Sequence, residues 1–459
     1  MDSCTYPDGN GVEHYYKVPW TIGTAGIAYN LNIMDSVDAW LEERGESRRW
    51  NRTPPMTYYD LWQYCNDVKN AELKVGGNRN GDDVYPFVWS GQAEEWQWDY
   101  VVFDWWGQLA GPETMNTFKN FGDVTENFGI DWDKVAAGTA TSDVYDPSRA
   151  AVVKNADGTV NMQDSTFTGW QEFKQAYTLW YDLICKNTSF SDPKVGDYSK
   201  LNNEQRFANG GAAMTPAACW IEYESREFLE KSGQEISIMP TPIVSDVVID
   251  NGNVVYPTGE PTATAQNGHL QWAGFTRDPA KTIDAIRAPD DEIAAGYVRE
   301  IDGVAGRAYR RVSFTSSFGD SVIIPQKATS KELAVEFLLF MQREENAQLF
   351  TAVSGGTVLP YKYDYAGSFA ANGKTASAWQ QSIFEINAHS IKFNNYTKHP
   401  MMRQTDLKGS AKMTSIWPKN EYYYMKAYKS PSSFAPSYID TIYSRDVVNM
   451  WTAYKASLR

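Results

Sequence analysis

Short apolar runs alternate with segments of helical periodicity along this chain. Residues 17–29 form an extended apolar run of the kind that predicts a strand. The next segment predicts a helix that ends near Gly45 and whose apolar positions are Ile33, Val37, Trp40 and Leu41. Because the same alternation of strands and helices continues through the chain, the pattern predicts the α/β class of fold.

Capping signals mark the start of two predicted helices. Thr57 follows two prolines and precedes Asp60 by three residues, which is the spacing of a helix N-cap with an acidic partner. Thr329 and Glu332 have the spacing of a capping box and follow a predicted buried strand from Val322 to Ile324. The helix predicted after Thr329 is lined by Leu333, Phe337, Phe340 and Met341.

Other segments predict further helices and two hairpins. Residues 93–111 predict a helix that is buried on most sides, because its apolar residues cover two neighbouring faces. Residues 167–187 and 202–210 predict amphipathic helices. Asn/Asp–Gly turns between valines predict small hairpins at 152–162 and 247–257.

Length and charge restrict the classes of protein to which the chain can belong. At about 150 residues per domain, 459 residues predict roughly two to three domains. The net charge of −15 disfavours a nucleic-acid-binding protein and docking on an anionic membrane surface, since both need basic residues. The chain has no run of 18 apolar residues, and its polar N-terminus lacks the apolar region of a signal peptide.

Aromatic residues are abundant. The 17 Trp, 28 Tyr and 20 Phe make up 14% of the chain, and most of them are expected in the core. Such a surplus also suits a site that stacks on flat, partly apolar ligands, sugars above all. Any single aromatic residue is more commonly a core residue than a ligand contact.

The sequence predicts neither a metal ion nor a cofactor. The four cysteines and four histidines have no metal-ligand spacing, which favours buried free thiols and excludes the common zinc motifs. Residues 75–87 form a turn-rich loop with several Asn and Asp side chains, but their spacing departs from that of a calcium-binding loop. Whether calcium binds residues 76–83 is left open at this stage.

Three motifs that mark common catalytic or nucleotide-binding sites are absent from the sequence. It contains no nucleophile elbow, P-loop or dinucleotide fingerprint, and the Gly-rich residues 354–360 lack the Lys–Ser/Thr of a phosphate-binding loop. A glycosidase needs two carboxylates across a cleft, and the chain offers several neighbouring acids. These acids are Glu94 and Glu95, Glu222 and Glu224, and Asp290 and Asp291.

Five segments, in this order, resemble family 1 of the extracellular solute-binding proteins, which serve bacterial sugar ABC importers. The segments read YYKVPWTIGTAGIAYNLNIMD, PPMTYYDLWQYC, FANGGAAMTPAACW, FGDSVIIPQKATSKELAVEFLLFMQREENAQLF and SGGTVLPYKYD. Each motif alone is weak, whereas their common order from about residue 15 to 365 is fairly specific.

The resemblance implies a two-lobed α/β fold of the type II periplasmic-binding-protein-like kind, whose lobes close over a ligand at a hinge. It implies a non-catalytic monomer that captures an oligosaccharide outside the cell or in the periplasm and delivers it to an ABC permease. The full-length form would be a membrane-anchored lipoprotein. The expected domains are a remnant of lobe one at 1–28, lobe two at 29–260, a returning segment of lobe one at 261–345 and C-terminal helices at 346–459.

The same resemblance implies a set of ligand-binding residues. Trp220 matches the position whose aromatic ring commonly stacks on a sugar in this family, and Glu222 would accept hydrogen bonds from sugar hydroxyls. Trp96, Trp20 and Phe318 are weaker candidates by position, and for each of them core packing is at least as common a role.

The N-terminus departs from the family pattern. Only residues 1–14 precede the first matching segment, where the family has most of the first lobe's sheet. The expectation is therefore that the N-terminal part of lobe one is missing from this chain, which would expose unpaired strand edges. Two alternatives stay open: a secreted glycan-active enzyme, and a solute-binding protein for a non-sugar ligand such as a peptide or polyol.

Overall fold

The computed structural model describes the greater part of the chain up to residue 393. The described residues are 5–7, 12–15, 18–90, 99–111, 129–130, 145–150, 170–195, 199–244, 247–262, 270–272, 275, 281–283, 298–302, 307–310, 312–314 and 321–393.

Helices and strands are mixed along these residues, with a run of short strands from Ile236 to Val322 and a run of helices from Lys331 to His389. The helices are α1 (Leu31–Glu43), α2 (Tyr58–Asn70), α3 (Asp99–Ala110), α4 (Trp170–Trp180), α5 (Lys200–Ala208), α6 (Ile221–Glu224), α7 (Arg226–Ser232), α8 (Lys331–Met341), α9 (Glu344–Val353), α10 (Ser368–Ala371) and α11 (Ala378–His389). Tyr181–Lys186 continues α4 as a π-helical turn, and short 3₁₀ turns lie at Val75–Gly77 and Thr188–Phe190.

The strands are mostly short. They are β1 (Thr5–Pro7), β2 (Glu13–Tyr15), β3 (Val18–Pro19), β4 (Ala25–Asn30), β5 (Tyr85–Phe87), β6 (Gly129–Ile130), β7 (Tyr145–Ala150), β8 (Ala212–Ala218), β9 (Ile236–Met239), β10 (Val247–Asp250), β11 (Asn253–Val255), β12 (Pro261–Thr262), β13 (Gln271–Trp272), β14 (Thr282–Ile283), β15 (Val298–Asp302), β16 (Arg307–Arg310), β17 (Val312–Phe314), β18 (Ser321–Val322) and β19 (Ile391–Phe393). This mixture of helices and strands confirms the predicted α/β class.

A four-stranded sheet organises the core, in the order β5-β8-β4-β9. β8 runs parallel to β5 and antiparallel to β4, which in turn is antiparallel to β9. Every residue of β4, β8 and β9 is buried. Since successive side chains of a strand point to opposite faces, burial of all of them means that both faces of this sheet are covered. α1 and α11 pack against β9, and α2 packs against β5.

Close approach of strands explains one glycine of this sheet. A Cβ atom built on Gly26 would lie 2.3 Å from the carbonyl oxygen of Met239 in β9, so any larger residue would force the two strands apart. Small residues also dominate β8, where four of the seven residues are alanines and all are buried.

β8 contains a proline, which has no N–H to donate within a sheet. The Cys219 N–H donates to the Thr24 carbonyl over 2.8 Å, so the backbone N–H of Cys219 points toward β4. The backbone nitrogen of Pro216, three residues earlier, points the other way, toward β5. β5 ends at Phe87, opposite Met214, and so does not reach Pro216. The missing donor therefore leaves no β5 partner unsatisfied.

Several local predictions are confirmed. Thr57 and Asp60 form a reciprocal capping box at the start of α2. All side chains of α3 from Tyr100 to Ala110 are buried, as predicted for residues 93–111. α4 with its π-helical turn and α5 match the predicted amphipathic helices. β10 and β11 form the predicted hairpin around Asn251–Gly252, both with positive φ; the hairpin predicted at 152–162 lies outside the described residues.

The prediction for residues 321–341 is wrong in two respects. β18 ends at Val322, and Ile323 is 62% exposed rather than part of a buried strand. α8 begins after Ser330 without a side-chain cap, so Thr329 is not its N-cap. The helix has no buried residue, and Leu333 and Phe337 are 70% and 54% exposed. β18 pairs with β3 over only two residues, and so short a ladder does not cover the apolar face of α8.

None of the described helices is long and apolar enough to cross a membrane. The domain limits expected at 28/29, 260/261 and 345/346 remain predictions.

Candidate ligand-binding site

Trp220 lies where the buried strand β8 leaves the central sheet. The last hydrogen bond before it, from Cys219 N to Thr24 O at 2.8 Å, holds it beside the residues that enter β4. Its indole ring is half-buried and packs partly against the core. The ring is therefore neither a fully buried core residue nor freely exposed, and its position is fixed by the sheet.

Three stretches of the chain meet around this corner of the sheet. The Ile22 N–H donates to the Val358 carbonyl over 2.9 Å, which joins the segment before β4 to the Gly-rich turn after α9. The Trp379 indole donates to the Cys219 carbonyl over 3.2 Å and so anchors α11 beside Trp220. Thr24 Oγ1 donates to Asn387 Oδ1 over 2.6 Å, farther along the same helix.

Glu222 joins α6 to the first turn of α11. Its carboxylate accepts from the Ser377 hydroxyl at 2.6 Å and from the Gln380 amide at 3.1 Å. Ser377 and Gln380 also form the capping box of α11, so the same two side chains serve the helix terminus and Glu222. Burial raises the pKa of Glu222, an effect that the hydrogen bonds from Ser377 and Gln380 and the charge of Arg226 oppose. A ligand hydroxyl at Glu222 would therefore compete with internal partners.

Tyr223 is a residue of this corner that sequence reasoning did not select. Its side chain is 60% exposed, and the Arg226 guanidinium lies 4.8 Å from the centre of its ring. A Cβ atom on Gly355 would be 3.8 Å from the same ring, so Tyr223 also borders the Gly-rich turn. The only signal in the sequence was its place three residues after Trp220.

A groove of about 560 Å³ with a mixed polar and apolar lining lies beside Glu222, between α7, the start of β9 and the start of α11. Its lining residues are Glu222, Arg226, Leu229, Glu230, Gly233, Gln234, Glu235, Ile236, Ser377, Ala378 and Gln380. Carboxylates, amides and a guanidinium along one groove can both donate to and accept from a hydroxylated ligand.

The Trp20 ring contacts aromatic side chains of α8 and α9, the helices that follow β18. Its ring centre lies 6.4 Å from that of Phe337 at an interplanar angle of 22°, and 6.1 Å from that of Phe350 at 70°. Trp20 is half-buried and lies two residues before Ile22, in the segment that leads into β4. Trp96 and Phe318 lie outside the described residues.

Comparisons with known proteins find similarity among solved structures. A manno-oligosaccharide-specific solute-binding protein from Bifidobacterium animalis subsp. lactis, in complex with mannotriose, superposes with a TM-score of 0.46 at 11% identity, covering 96% of this chain and 71% of that one. The apo form of RafE from Streptococcus pneumoniae gives a TM-score of 0.42 at 11% identity, covering 97% and 73%.

A probable secreted solute-binding lipoprotein from Streptomyces coelicolor gives a TM-score of 0.43 at 11% identity, covering 98% and 73%. A scan against models of known families and a search of curated proteins both return no match. Each of these three structures is 11% identical to the chain, and each TM-score is below 0.5.

Within the described part of the chain, no three His, Cys, Asp or Glu side chains are placed to hold a metal ion. The carboxylates of the turn-rich loop have cationic partners of their own. Asp83 pairs with Lys74, and Asp82 lies 3.3 Å from Arg206.

Proposed function

We propose that this chain captures an oligosaccharide outside the cell and delivers it to the permease of an ABC-type sugar importer. The observation that carries the proposal is the placement of Trp220. Its half-buried ring lies two residues after the fully buried strand β8 and packs against the core, and the Cys219 backbone before it is held by Thr24 and Trp379. The ordered motifs that resemble the solute-binding family supply the transport context.

A ring held in this way suits a pyranose. The C–H face of a sugar is apolar, and an indole that the sheet holds in place can cover it at a low cost in conformational entropy. Polar groups at the border of an aromatic contact then fix the hydroxyls. The groove beside Glu222 offers amides, carboxylates and Arg226 for this role.

The groups around Trp220 support binding rather than catalysis. A glycosidase needs one carboxylate free to move a proton and a second one across the scissile bond. Glu222 has a raised pKa, as a general acid would, but its two oxygens accept from Ser377 and Gln380. A carboxylate held by a helix cap is poorly placed to transfer its proton to a leaving group.

The remaining parts of the proposal follow from the resemblance. The chain would work as a monomer whose two lobes close over the solute, with boundaries near residues 28, 260 and 345. A permease would recognise the closed state, since a ligand-dependent change of shape is what signals occupancy. Lipoprotein anchoring would keep the full-length form at the membrane.

Calorimetry with oligosaccharides, and with a Trp220→Ala variant, tests the function. A panel of raffinose-type, malto- and manno-oligosaccharides is titrated into the protein, with a peptide mixture in parallel. Binding of a sugar that Trp220→Ala weakens, while Trp62→Ala on α2 does not, supports the proposal. Binding of peptides alone would favour a non-sugar solute, and release of reducing sugar would favour an enzyme.

A further inference from the structure

Tyr223 lies beside Trp220 on the same helical turn. Trp220 has helical backbone angles, and its carbonyl accepts from the Tyr223 N–H over 3.0 Å and from the Glu224 N–H over 2.9 Å. Residues three apart on such a turn are neighbours, with Cβ atoms about 5–6 Å apart. Ile221 is fully buried and so fixes the rotation of the turn, which leaves Tyr223 on the outer side. The two aromatic side chains therefore follow one another along the surface of α6.

The exposed ring of Tyr223 is held by a cation over one of its faces. The Arg226 guanidinium lies 4.8 Å from the ring centre. This distance is within the roughly 6 Å of a cation–π contact, which restrains the ring and leaves its second face uncovered. Because the Tyr223 side chain is 60% exposed, ring surface remains open to a ligand.

The Gly-rich turn after α9 lies next to the same ring. A Cβ atom on Gly355 would be 3.8 Å from Cδ2 of Tyr223, so a larger side chain there would start in contact with the ring. Gly355 also has a φ of 76°, in the left-handed region that favours glycine. A residue without a side chain is thus placed where a side chain would compete with a ligand for Tyr223.

Arg226 connects the Tyr223 ring with the groove beside Glu222. It contacts the ring and is at the same time one of the lining residues of the groove. Among the residues that the structure describes, none forms a hydrogen bond or salt bridge with the Arg226 side chain. Its N–H groups can therefore donate to the hydroxyls of a ligand that passes from the ring into the groove.

The charges of the groove favour a neutral ligand. Three carboxylates, those of Glu222, Glu230 and Glu235, line it together with the single guanidinium of Arg226. An anionic ligand would enter against this excess of negative charge. A sugar hydroxyl accepts from a guanidinium and donates to a carboxylate, so both kinds of lining group suit a neutral oligosaccharide.

A single exposed aromatic residue is common on protein surfaces and needs no function. Tyr223 differs because it adjoins Trp220, is restrained by Arg226 and leads to a groove with hydrogen-bonding groups. We propose that Tyr223 is the second ring contact of the site: one ring of a neutral oligosaccharide stacks on Trp220, the next ring stacks on Tyr223, and hydroxyls beyond it bind in the groove. This inference rests on the oligosaccharide function proposed above, and it specifies a ligand of at least two rings.

Calorimetry with sugars that differ by one ring tests the role of Tyr223. The full chain is titrated with glucose, maltose and maltotriose, with mannose, mannobiose and mannotriose, and with galactose, melibiose and raffinose. Monosaccharides are measured by displacement of the trisaccharide. We expect affinity to rise with the second ring in at least one series. Tyr223→Ala should remove this gain, about tenfold, and leave the monosaccharide unchanged, whereas Tyr223→Phe keeps the ring and should keep the gain.

Phe340→Ala is the matched control. Phe340 is 47% exposed and has the Arg343 guanidinium 6.0 Å from its ring centre, so it repeats the exposed ring and the arginine three residues later at another place on the chain. Its substitution should leave sugar affinity unchanged. Because Tyr223 is largely exposed, Tyr223→Ala should also keep the melting temperature of the native chain, which distinguishes a ligand contact from a structural role.

The possible failures can be told apart. If the native chain binds a disaccharide or trisaccharide and Tyr223→Ala binds it equally well, the role of Tyr223 is refuted and the function proposed for Trp220 stands. Equal losses for the monosaccharide and the disaccharide, or the same loss in Phe340→Ala, would likewise refute it. Tighter binding of trigalacturonate than of any neutral trisaccharide would contradict the neutral ligand. If the native chain binds no sugar, the proposed function fails and the role of Tyr223 fails with it.

Discussion

The carboxylate of Glu222 accepts a 2.6 Å hydrogen bond from the Ser377 hydroxyl, across 155 residues of sequence. Ser377 is the N-cap of α11, whose Trp379 also binds the Cys219 carbonyl. The short helix after Trp220 and the helix that packs on β9 are thereby joined at one point. This contact restrains the backbone that carries the Trp220 ring.

Removal of the Glu222 carboxylate should destabilise the fold. Glu222→Ala leaves the Ser377 hydroxyl and the Gln380 amide without their acceptor, and we expect a loss of about 1–3 kcal/mol in the free energy of unfolding. Urea denaturation measures it. Glu230→Ala, at an exposed acid on the same groove, is the control and should change little. Equal effects of the two substitutions would show that the contact with α11 contributes nothing.

The same carboxylate should make stability depend on pH. Burial raises the folded-state pKa of Glu222 above its ordinary value of 4.5, so the folded chain binds this proton more tightly than the unfolded chain. Its contribution is fully present below about 4.5 and is lost as pH rises through the higher folded value. The stability of the wild type relative to Glu222→Gln should therefore fall between pH 4 and 7. If denaturation curves show that the stability of the wild type relative to Glu222→Gln rises with pH, the raised pKa of Glu222 is contradicted.

The buried pair of Arg48 and Asp67 should be far more sensitive to substitution than an exposed pair. Asp67→Ala leaves the 4%-exposed Arg48 without its counter-charge, and we expect a loss of about 3–5 kcal/mol. Asp35→Ala breaks the exposed pair with Arg52, where both side chains are over 40% exposed, and should cost about 1 kcal/mol or less. Thermal melting compares the two variants. Similar losses of stability in both would contradict the difference in burial between the two ion pairs.

Gly26 should tolerate no side chain. A Cβ atom would stand 2.3 Å from the Met239 carbonyl oxygen, so Gly26→Ala must separate β4 from β9. We expect a destabilisation of about 1–3 kcal/mol, as is typical of overpacking. Ala28→Gly in the same strand, which removes a Cβ atom and adds none, is the comparison. An unchanged melting temperature for Gly26→Ala would mean that the strands are farther apart than the structure has them.

The local parts of the fold could be predicted from the sequence. Thr57 and Asp60 are three residues apart, and a capping box needs only that spacing. The Asn251–Gly252 turn is likewise determined by residues that accept positive φ. Both features depend on contacts within a few residues of the chain.

Contacts between distant segments could not be predicted in this way. No periodicity links Glu222 to Ser377, and no motif links Arg48 to Glu260. The prediction at Thr329 failed for a similar reason. The spacing to Glu332 fits a capping box, but β18 ends early, at Val322, and α8 begins one residue later than expected, with Ser330 as its N-cap. The position of Trp220 was inferred from ordered motifs, whereas its anchoring by Trp379 was not.

Binding of oligosaccharides to the native chain and to Trp220→Ala, measured by titration calorimetry, tests the central proposal most directly. The placement of the half-buried Trp220 ring predicts saturable binding of at least one oligosaccharide by the native chain. It also predicts a loss of affinity of about tenfold or more in the variant, with Trp62→Ala unaffected. Sugar binding with the same affinity in Trp220→Ala and in the native chain would contradict it.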